Sequence, residues 1–359
     1  MLPQAKQPAA SQKSPPQAKG ATMRIYKSKA PMRIGFFGGG TDVSPYAEEH
    51  GGKVLNCTID KYVRCMMRPS GVPGVTIRSL DLEEVSRFVT GSWEGKLSLP
   101  QAVLDAMPQA EGVEVTMFSD VPPGSGLGSS SALVVSMLKL LCTAYNIVMT
   151  PHDMAELAFR IERVDLGIPG GRQDQYAAAF GGMCVYHFGG KQVIVEPVLS
   201  DPAALLELES CLLIGYIGDR KLMSNHLMED QVRRLKEGDT LRYHDETKAF
   251  VDESVRLLRA MKIDEFGRLL HDAWEVKKSF SPFIAPPAVE EIYAKARRHG
   301  AWGGKITGAG GGGFMVFACP FDRRFELEKL LTENGVKVRP FSFTTQGVHA
   351  WSVEAGERA

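Results

Sequence analysis

No apolar run in this sequence reaches the length of a membrane span, and the first residues lack the apolar core of a secretory leader. Neither charge is in excess. Lys plus Arg is 42 and Asp plus Glu is 42, so the formal net charge is zero. That removes the basic footprint expected of a general nucleic-acid binder, while leaving room for a local basic pocket around a small anion. There is no C-x-x-C pair. The six cysteines (Cys57, Cys65, Cys142, Cys184, Cys211 and Cys319) lie far apart, most of them in apolar runs. They read as buried thiols of a reducing compartment, and a cytoplasmic setting is expected. No H-E-x-x-H zinc motif and no G-x-S-x-G hydrolase elbow occurs, and His50, His152 and His299 read as surface or capping residues. The serine-rich loop at 124–131 matches neither G-x-x-x-x-G-K-[ST], because no lysine follows its last glycine, nor G-x-G-x-x-G, because its third glycine comes one residue early.

What remains is a chain of 359 residues with 44% hydrophobic content, enough for two domains with real cores. Residues 1–21 are Pro, Gln, Ala, Ser and Lys with almost nothing to bury, and read as a disordered tail. Order is expected from Met23, with a short strand opening at 24–26. Further strands are expected at 32–37, 54–68, 74–79 and 113–119, where apolar and polar residues roughly alternate. A mostly apolar helix is expected over 132–145, and another opens at Pro151, a position where the missing N–H costs little. A returning hairpin follows at 181–195. Composition changes near residue 200, giving domains 22–200 and 201–359. In the second, an apolar strand at 211–216 leads into a mainly helical stretch over 224–296, then a glycine cluster, a strand and a last strand at 347–353. Helices stand beside hairpins without a regular βαβα repeat, which favours an α+β fold.

Four clusters carry chemistry. The first is G-S-G-L-G-S-S-S-A, residues 124–132. A cap needs one serine, and this density points to bare N–H groups and hydroxyls facing a phosphate or a cation at a helix start. The second is K-A-P-M-R-I-G-F-F-G-G-G-T-D-V-S-P-Y, residues 29–46. There Thr41 and Asp42 form a natural pair for sugar hydroxyls, and Arg33 on the preceding strand can neutralise a phosphoryl group or acidify an attacking hydroxyl. The third is A-F-R-I-E-R-V-D-L-G-I-P-G-G-R-Q-D-Q-Y-A-A-A-F-G-G, residues 158–182. Glu162 is expected near a helix end and Asp174 near the start of the next helix, where the macrodipole favours an anion that can cap, accept a proton or hold a metal. The fourth is K-I-T-G-A-G-G-G-G-F-M-V, residues 305–316, five of them glycine. Such freedom is expensive unless a close approach requires it, as for a glycine loop packed over a phosphate loop.

These clusters, in this order, resemble the GHMP kinase superfamily of galactokinases, homoserine kinases, mevalonate kinases and phosphomevalonate kinases, over residues 24 to about 355. The resemblance implies an N-terminal domain like ribosomal protein S5 domain 2 and a ferredoxin-like C-terminal domain. It implies ATP along Pro123, Gly124, Ser125, Gly126, Leu127, Gly128, Ser129, Ser130 and Ser131. Mg²⁺ would be held by Ser130 (Ser129 in the less favoured register) and Glu162. Asp174 would be the catalytic aspartate and Arg33 the basic partner, and Gly39, Gly40, Thr41, Asp42, Arg172, Gly310 and Gly311 would meet the acceptor. Galactokinases carry G-E-H-T-D where this chain carries G-G-G-T-D, so galactose is not expected. G-F-F-G-G-G-T-D-V-S-P-Y followed by H-G-G-K-V-L-N is similar to the D-glycero-D-manno-heptose 7-phosphate 1-kinases. The L-fucokinase branch, with G-G-W-T-D-T-P-P, is the alternative, and an inactive sensor of the same fold a more distant one. The expected partners are small molecules only, a phosphorylated sugar and ATP, on a monomer or homodimer with no nucleic acid and no membrane. A sugar phosphate needs cations, for which Arg172, Arg220 and Lys221 are the first candidates and Arg78 and Lys53 the next.

Overall fold

The computed structural model describes residues 24–107, 111–190, 192–198, 201–219 and 224–354. The expected tail at 1–21 and the candidate cations Arg220 and Lys221 lie outside them. Two sheets organise the chain. The first uses β1 (Arg24–Phe37), β2 (Lys53–Pro69), β3 (Val75–Ser79), β4 (Glu84–Arg87), β5 (Val113–Ser119), β6 (Met183–His187) and β7 (Ile194–Pro197). The second uses β8 (Leu212–Tyr216), β9 (Gly303–Ile306), β10 (Phe314–Ala318) and β11 (Lys337–Arg339). The last strand, β12 (His349–Glu354), returns to the first sheet, whose order is β12-β1-β2-β5-β3-β4 with β6 and β7 branching from β2. A strand from the second half of the chain thus takes part in the sheet built by the first half. Arg24 pairs with Glu354 in antiparallel register, so the chain closes its first sheet with its final strand.

The helices are α1 (Ser98–Asp105), α2 (Ser129–Tyr145), α3 (Pro151–Phe159), α4 (Gln173–Phe180), α5 (Pro202–Ser210), α6 (Ser224–Lys236), α7 (Leu241–Arg259), α8 (Ile263–Lys278), α9 (Pro287–Arg298) and α10 (Arg324–Glu333). The second sheet runs β11-β8-β10-β9, all antiparallel, with helices between β8 and β9 and between β10 and β11. That is the β-α-β-β-α-β order of a ferredoxin-like layer.

Local chemistry explains most of these elements. The two strands expected at 24–26 and 32–37 are one, because a register shift at Pro31/Met32 lets the ladder absorb a residue that has no N–H. α2 is buried on most of its circumference by Val134, Val135, Met137, Leu138, Leu140 and Leu141, as its apolar composition requires. α3 opens on Thr150, whose side chain accepts from Asp153 N ahead of Pro151. α5, not anticipated in the sequence, opens the same way on Asp201 and Pro202. The two layers share a core where Phe36 and Phe37 meet Phe266 of α8 edge-on, with centroids at 5.5 and 5.1 Å. Polar ties surround that seam: Tyr46 Oη donates to Asp245 at 2.6 Å, and Lys53 pairs with Asp252 at 2.8 Å. All six cysteines are buried free thiols.

The two richest glycine segments touch. Phe314 N donates to Ser125 O at 2.8 Å. A Cβ at Gly313 would stand 2.3 Å from Ser125 O, and one at Gly308 2.9 Å from Gly126 O. The glycine loop lies on the serine loop, and the missing side chains permit it. Gly313 and Gly335 have nearly the same φ, +85° and +80°, but nothing stands within 4 Å of a Cβ at Gly335. Gly335→Ala is expected to cost about 1–2 kcal/mol from its left-handed backbone alone. Gly313→Ala is expected to cost roughly twice that or more, because backbone must also move. Urea unfolding of the two variants checks the difference.

Candidate active site

A cavity of about 600 Å³ opens where the two glycine segments meet the start of α4. Its first wall is the loop ahead of α2. Pro123, Gly124, Gly126, Gly128, Ser129, Ser130 and Ser131 line it, while Ser125 and Leu127 are turned into the protein. The serines do not cap α2. Gly128, with φ +79°, holds the N-cap position, and Ser129 already belongs to the helix. The hydroxyls have other work. Ser130 Oγ donates to Glu162 Oε1 at 2.7 Å, and Ser131 Oγ to Oε2 at 2.6 Å. Gln175 Nε2 also donates to Oε2, at 2.5 Å. Glu162 is wholly buried in a widened helical turn, Arg160–Asp165, that continues α3. π-type turns of this kind often stand at functional sites, because they re-aim one side chain out of helical register.

At the foot of the cavity Arg33 meets Asp174. Arg33 Nε donates to Asp174 Oδ1 at 2.7 Å, and its Nη2 lies 2.5 Å from the same oxygen. Nη1 donates to the Gly126 carbonyl at 2.6 Å, and the Arg33 backbone N to that of Leu127 at 3.0 Å. Asp174 Oδ2 takes no hydrogen bond among the described residues, and the Asp174 side chain is one-fifth exposed. Asp174 is not a cap. Arg172 occupies that position and Asp174 sits in the first turn of α4.

The second wall is the loop after β1, where Gly39, Gly40 and Asp42 face the cavity. Asp42 is buried. Its Oδ2 accepts from Gln173 N at 3.2 Å, and its Oδ1 from Gln173 Nε2 at 3.0 Å and Gly40 N at 3.2 Å. Burial, then the charge of Asp174, pushes its carboxyl above the usual aspartate range. A Cβ at Gly171 would stand 2.0 Å from Asp42 Oδ2, so this glycine admits the carboxylate to the start of α4. Asp42 thus orients the helix that carries Asp174, besides facing the cavity.

Three expectations are corrected. Thr41 is fully buried; its hydroxyl bonds Gly38 O, Lys53 O and Lys53 N, closing its own loop, and does not line the cavity. Arg172 also stands outside the cavity lining. Its Nη1 bonds both oxygens of Glu156 at 3.0 and 3.1 Å, with the guanidinium 4.2 Å from the Phe159 ring centre. Gly310 and Gly311 pack on Ile284 and Leu227, while Gly308 and Ala309 reach the cavity in their place. Two further cation candidates are already paired, Arg78 with Glu114 at 3.4 Å and Lys53 with Asp252.

Sequence reasoning missed two lysines. Lys305 opens the fourth motif, and its Nζ donates to Gly35 O at 3.1 Å. Lys277, in the last turn of α8, donates to Gly39 O at 3.2 Å and Gln231 Oε1 at 3.0 Å. Burial pulls Lys277 down to about 7, helped by Lys305 and opposed by Asp42. Burial, then Arg33, pulls Lys305 down to about 8. A signal for Lys277 existed: it follows Phe266, Leu270, Ala273 and Trp274 at helical spacing, on the buried stripe of α8.

A smaller cavity adjoins the loop at Pro123, Gly124, Ser129 and Ser130, lined mostly by apolar groups that include Leu82, Leu97, Leu99, Pro100 and Leu133. Glu162 with Ser130 is an all-oxygen donor set, the ligand chemistry Mg²⁺ prefers. No cluster of three or more His, Cys, Asp or Glu able to hold a metal occurs among the described residues. No helix there is long and apolar enough to cross a membrane.

With this geometry in hand, comparison with known proteins identifies the class. Residues 98–182 match the model of the GHMP kinases N terminal domain, and residues 254–337 that of the GHMP kinases C terminal region. The D-glycero-alpha-D-manno-heptose 7-phosphate kinase of Campylobacter jejuni is 32% identical over 343 residues, covering 92% of this chain and 100% of that protein. A crystal structure described as a D-glycero-D-manno-heptose 1-phosphate kinase from Bacteroides thetaiotaomicron superposes with a TM-score of 0.75 at 30% identity, covering 92% of this chain and 100% of that one. The L-fucokinase/L-fucose-1-P guanylyltransferase of Bacteroides fragilis is 27% identical over 92% of this chain, which spans 38% of that longer protein. The chain belongs to the GHMP kinase family and has its α+β fold, with the family's N- and C-terminal domains.

The buried lysines make a pH prediction. Lys277 titrates near 7 in the folded protein and near about 10.4 when unfolded. From pH 7 to 9 the unfolded chain therefore binds more protons, and this lysine's contribution to stability rises with pH. Lys277→Met is expected to remove a rise of roughly 1 kcal/mol per pH unit at most. Urea midpoints of both proteins at pH 7, 8 and 9 check it: the variant's should climb less.

Proposed function

We propose that the protein is an ATP-dependent sugar 1-kinase that phosphorylates the anomeric hydroxyl of D-glycero-D-manno-heptose 7-phosphate, giving the 1,7-bisphosphate used in making nucleotide-activated heptose. The observation that carries the kinase chemistry is the Arg33–Asp174 pair, set between the serine loop and the wall holding Asp42. Similarity to the Campylobacter jejuni heptose 7-phosphate kinase along its full length supports the acceptor.

In this reading the ATP triphosphate lies along 124–131, where helix α2 presents N–H groups and the positive end of its dipole. The base takes the smaller, mostly apolar cavity beside Pro123 and Gly124. Bound Mg²⁺ would neutralise charge on the phosphates, and Glu162 with Ser130 would hold it. Arg33 stabilises the negative charge that grows on the transferred group. Asp174 Oδ2, free of hydrogen bonds among the described residues, accepts the proton of the anomeric hydroxyl. The anomeric oxygen, freed of its proton, forms its bond to the γ-phosphorus as the bond to the β–γ bridging oxygen breaks, and ADP leaves. An anomeric hydroxyl is more acidic than an ordinary alcohol, so a carboxylate suffices as base. Asp42 and Gln173 line the acceptor side, and Asp42 also holds α4 in place.

Fucokinase-type acceptors are the second reading, favoured by the 26–27% identity to two fucokinase-containing proteins along most of this chain. Purified protein incubated with ATP, Mg²⁺ and each of heptose 7-phosphate, heptose and L-fucose is expected to phosphorylate C1 of the first most efficiently, as read by ³¹P NMR. Equal or better use of L-fucose selects the second reading. Asp174→Asn is expected to lower kcat by about 10²- to 10⁴-fold with a much smaller change in ATP affinity, measured by steady-state kinetics and nucleotide titration. Glu162→Gln is expected to raise the Mg²⁺ concentration giving half-maximal rate, and EDTA to abolish turnover.

A further inference from the structure

We propose that Lys277 reads the acceptor's own phosphate and so sets the preference for a phosphorylated over a neutral sugar. The inference rests on the sugar-kinase reading above and assigns a residue that the sequence motifs left out.

The argument starts from unpaired charge. Lys277 is buried and faces the cavity. Its Nζ bonds only neutral acceptors, the Gly39 carbonyl and the Gln231 amide, and lies 4.0 Å from the Phe280 ring centre. Among the described residues no carboxylate comes within ion-pair distance of it. A buried ammonium without a counter-ion is costly, and this one has three N–H groups with two spoken for. A side chain at Gly40 would crowd the amine: a Cβ there would stand 3.1 Å from Nζ and 2.8 Å from the Phe280 ring. The chain keeps that approach open with a glycine at φ +104°.

Position then separates the two lysines. Lys305 bonds Gly35 O and feels the charge of Arg33, so it belongs to the reacting end. Lys277 touches the Gly39–Gly40 wall and is drawn by Asp42, on the acceptor side. Competing cations on that side are already engaged: Arg172 with Glu156, and Arg163 with Glu162 at 4.0 Å as well as with the Gly171 and Ile168 carbonyls. A sugar phosphate brings about two negative charges and supplies the counter-ion that Lys277 lacks.

Protons follow. The charged or titratable groups facing Lys277 are Lys305 from β9, Asp42 from the loop after β1 and His244 from α7. Burial pulls His244 down to about 4, so it stays neutral above pH 6. With Lys277 near 7, much of it is neutral at pH 8, and a bound dianion draws its proton back. Binding of heptose 7-phosphate at pH 8 therefore takes up a proton, and the KM for that acceptor rises from pH 7 to 9.

The test measures kcat/KM for D-glycero-D-manno-heptose 7-phosphate and for D-glycero-D-manno-heptose with wild type, Lys277→Met and Lys277→Gln. Calorimetry of heptose 7-phosphate binding at pH 8, in two buffers of different ionisation heat, counts protons. The wild type is expected to favour the phosphorylated sugar. The variants should lower that preference about 10- to 100-fold, mainly through KM for the phosphorylated sugar, and lose the proton uptake. A preference kept by the variants, or equal losses on both sugars, overturns the assignment of Lys277. So does wild-type binding without proton uptake, a measurement that needs no variant to fold. A wild type with no preference for the phosphorylated sugar instead overturns the heptose 7-phosphate reading, and this inference with it.

Discussion

One guanidinium holds this site together. Arg33 on β1 donates to Asp174 at the start of α4 and to the carbonyl of Gly126 in the serine loop. Three segments separated by 93 and 141 residues meet on it. A buried ion pair of this kind does little for stability, because desolvation offsets its Coulomb gain. Its value is geometric. A planar fork fixes direction as well as distance, so the carboxylate, the loop and the strand keep a common frame. Asp42 strengthens that frame from the other side by accepting from Gln173 N, one residue before Asp174. The Asp174 carboxylate is thus oriented on both flanks, and its second oxygen takes no hydrogen bond among the described residues.

Around this pair lies a cluster of buried charge that a stability-minded core would not contain. Asp42, Glu162, Lys277 and Lys305 are all buried or nearly so, beside Arg33. Glu162 is satisfied by two hydroxyls and an amide, whereas the lysines lean on carbonyls and one amide. Asp42, Asp174, Lys277 and Lys305 all face one cavity, and the two lysines have no ion-pair partner among the described residues. The protein bears the desolvation cost of both sets for a pocket in which charge is already arranged before a ligand arrives.

How much of this was legible depended on whether a feature is local in the chain. Glycine and serine density is local, so the loop, the helix after it and the glycine segment over it could be read directly, although α2 begins at Ser129 and not at the expected residue 132. The twelve residues from Glu162 to Asp174 could be read because a Pro/Gly loop separates two helical patterns. Side-chain direction was not legible. Thr41 and Arg172 sit in the right motifs and point to their own neighbours, Lys53 and Glu156. Lys277 does the reverse: it lies in an unremarked helix, and tertiary packing brings it to Gly39, 238 residues away. The sheet return of β12 was hidden for the same reason, since a short terminal strand carries no sign of its partner.

That return constrains how the protein can be made. β1 is flanked on one side by β2 and on the other by β12, the last strand among the described residues. During synthesis the strand bearing Arg33 emerges before β12, and the edge that β12 covers stays bare until the whole of the intervening chain has been translated. An unpaired edge is a template for wrong partners, and contacts this distant in sequence form slowly. The ribosome therefore presents a first sheet that is unfinished on one side, and the ferredoxin-like layer must be made before that edge can be closed.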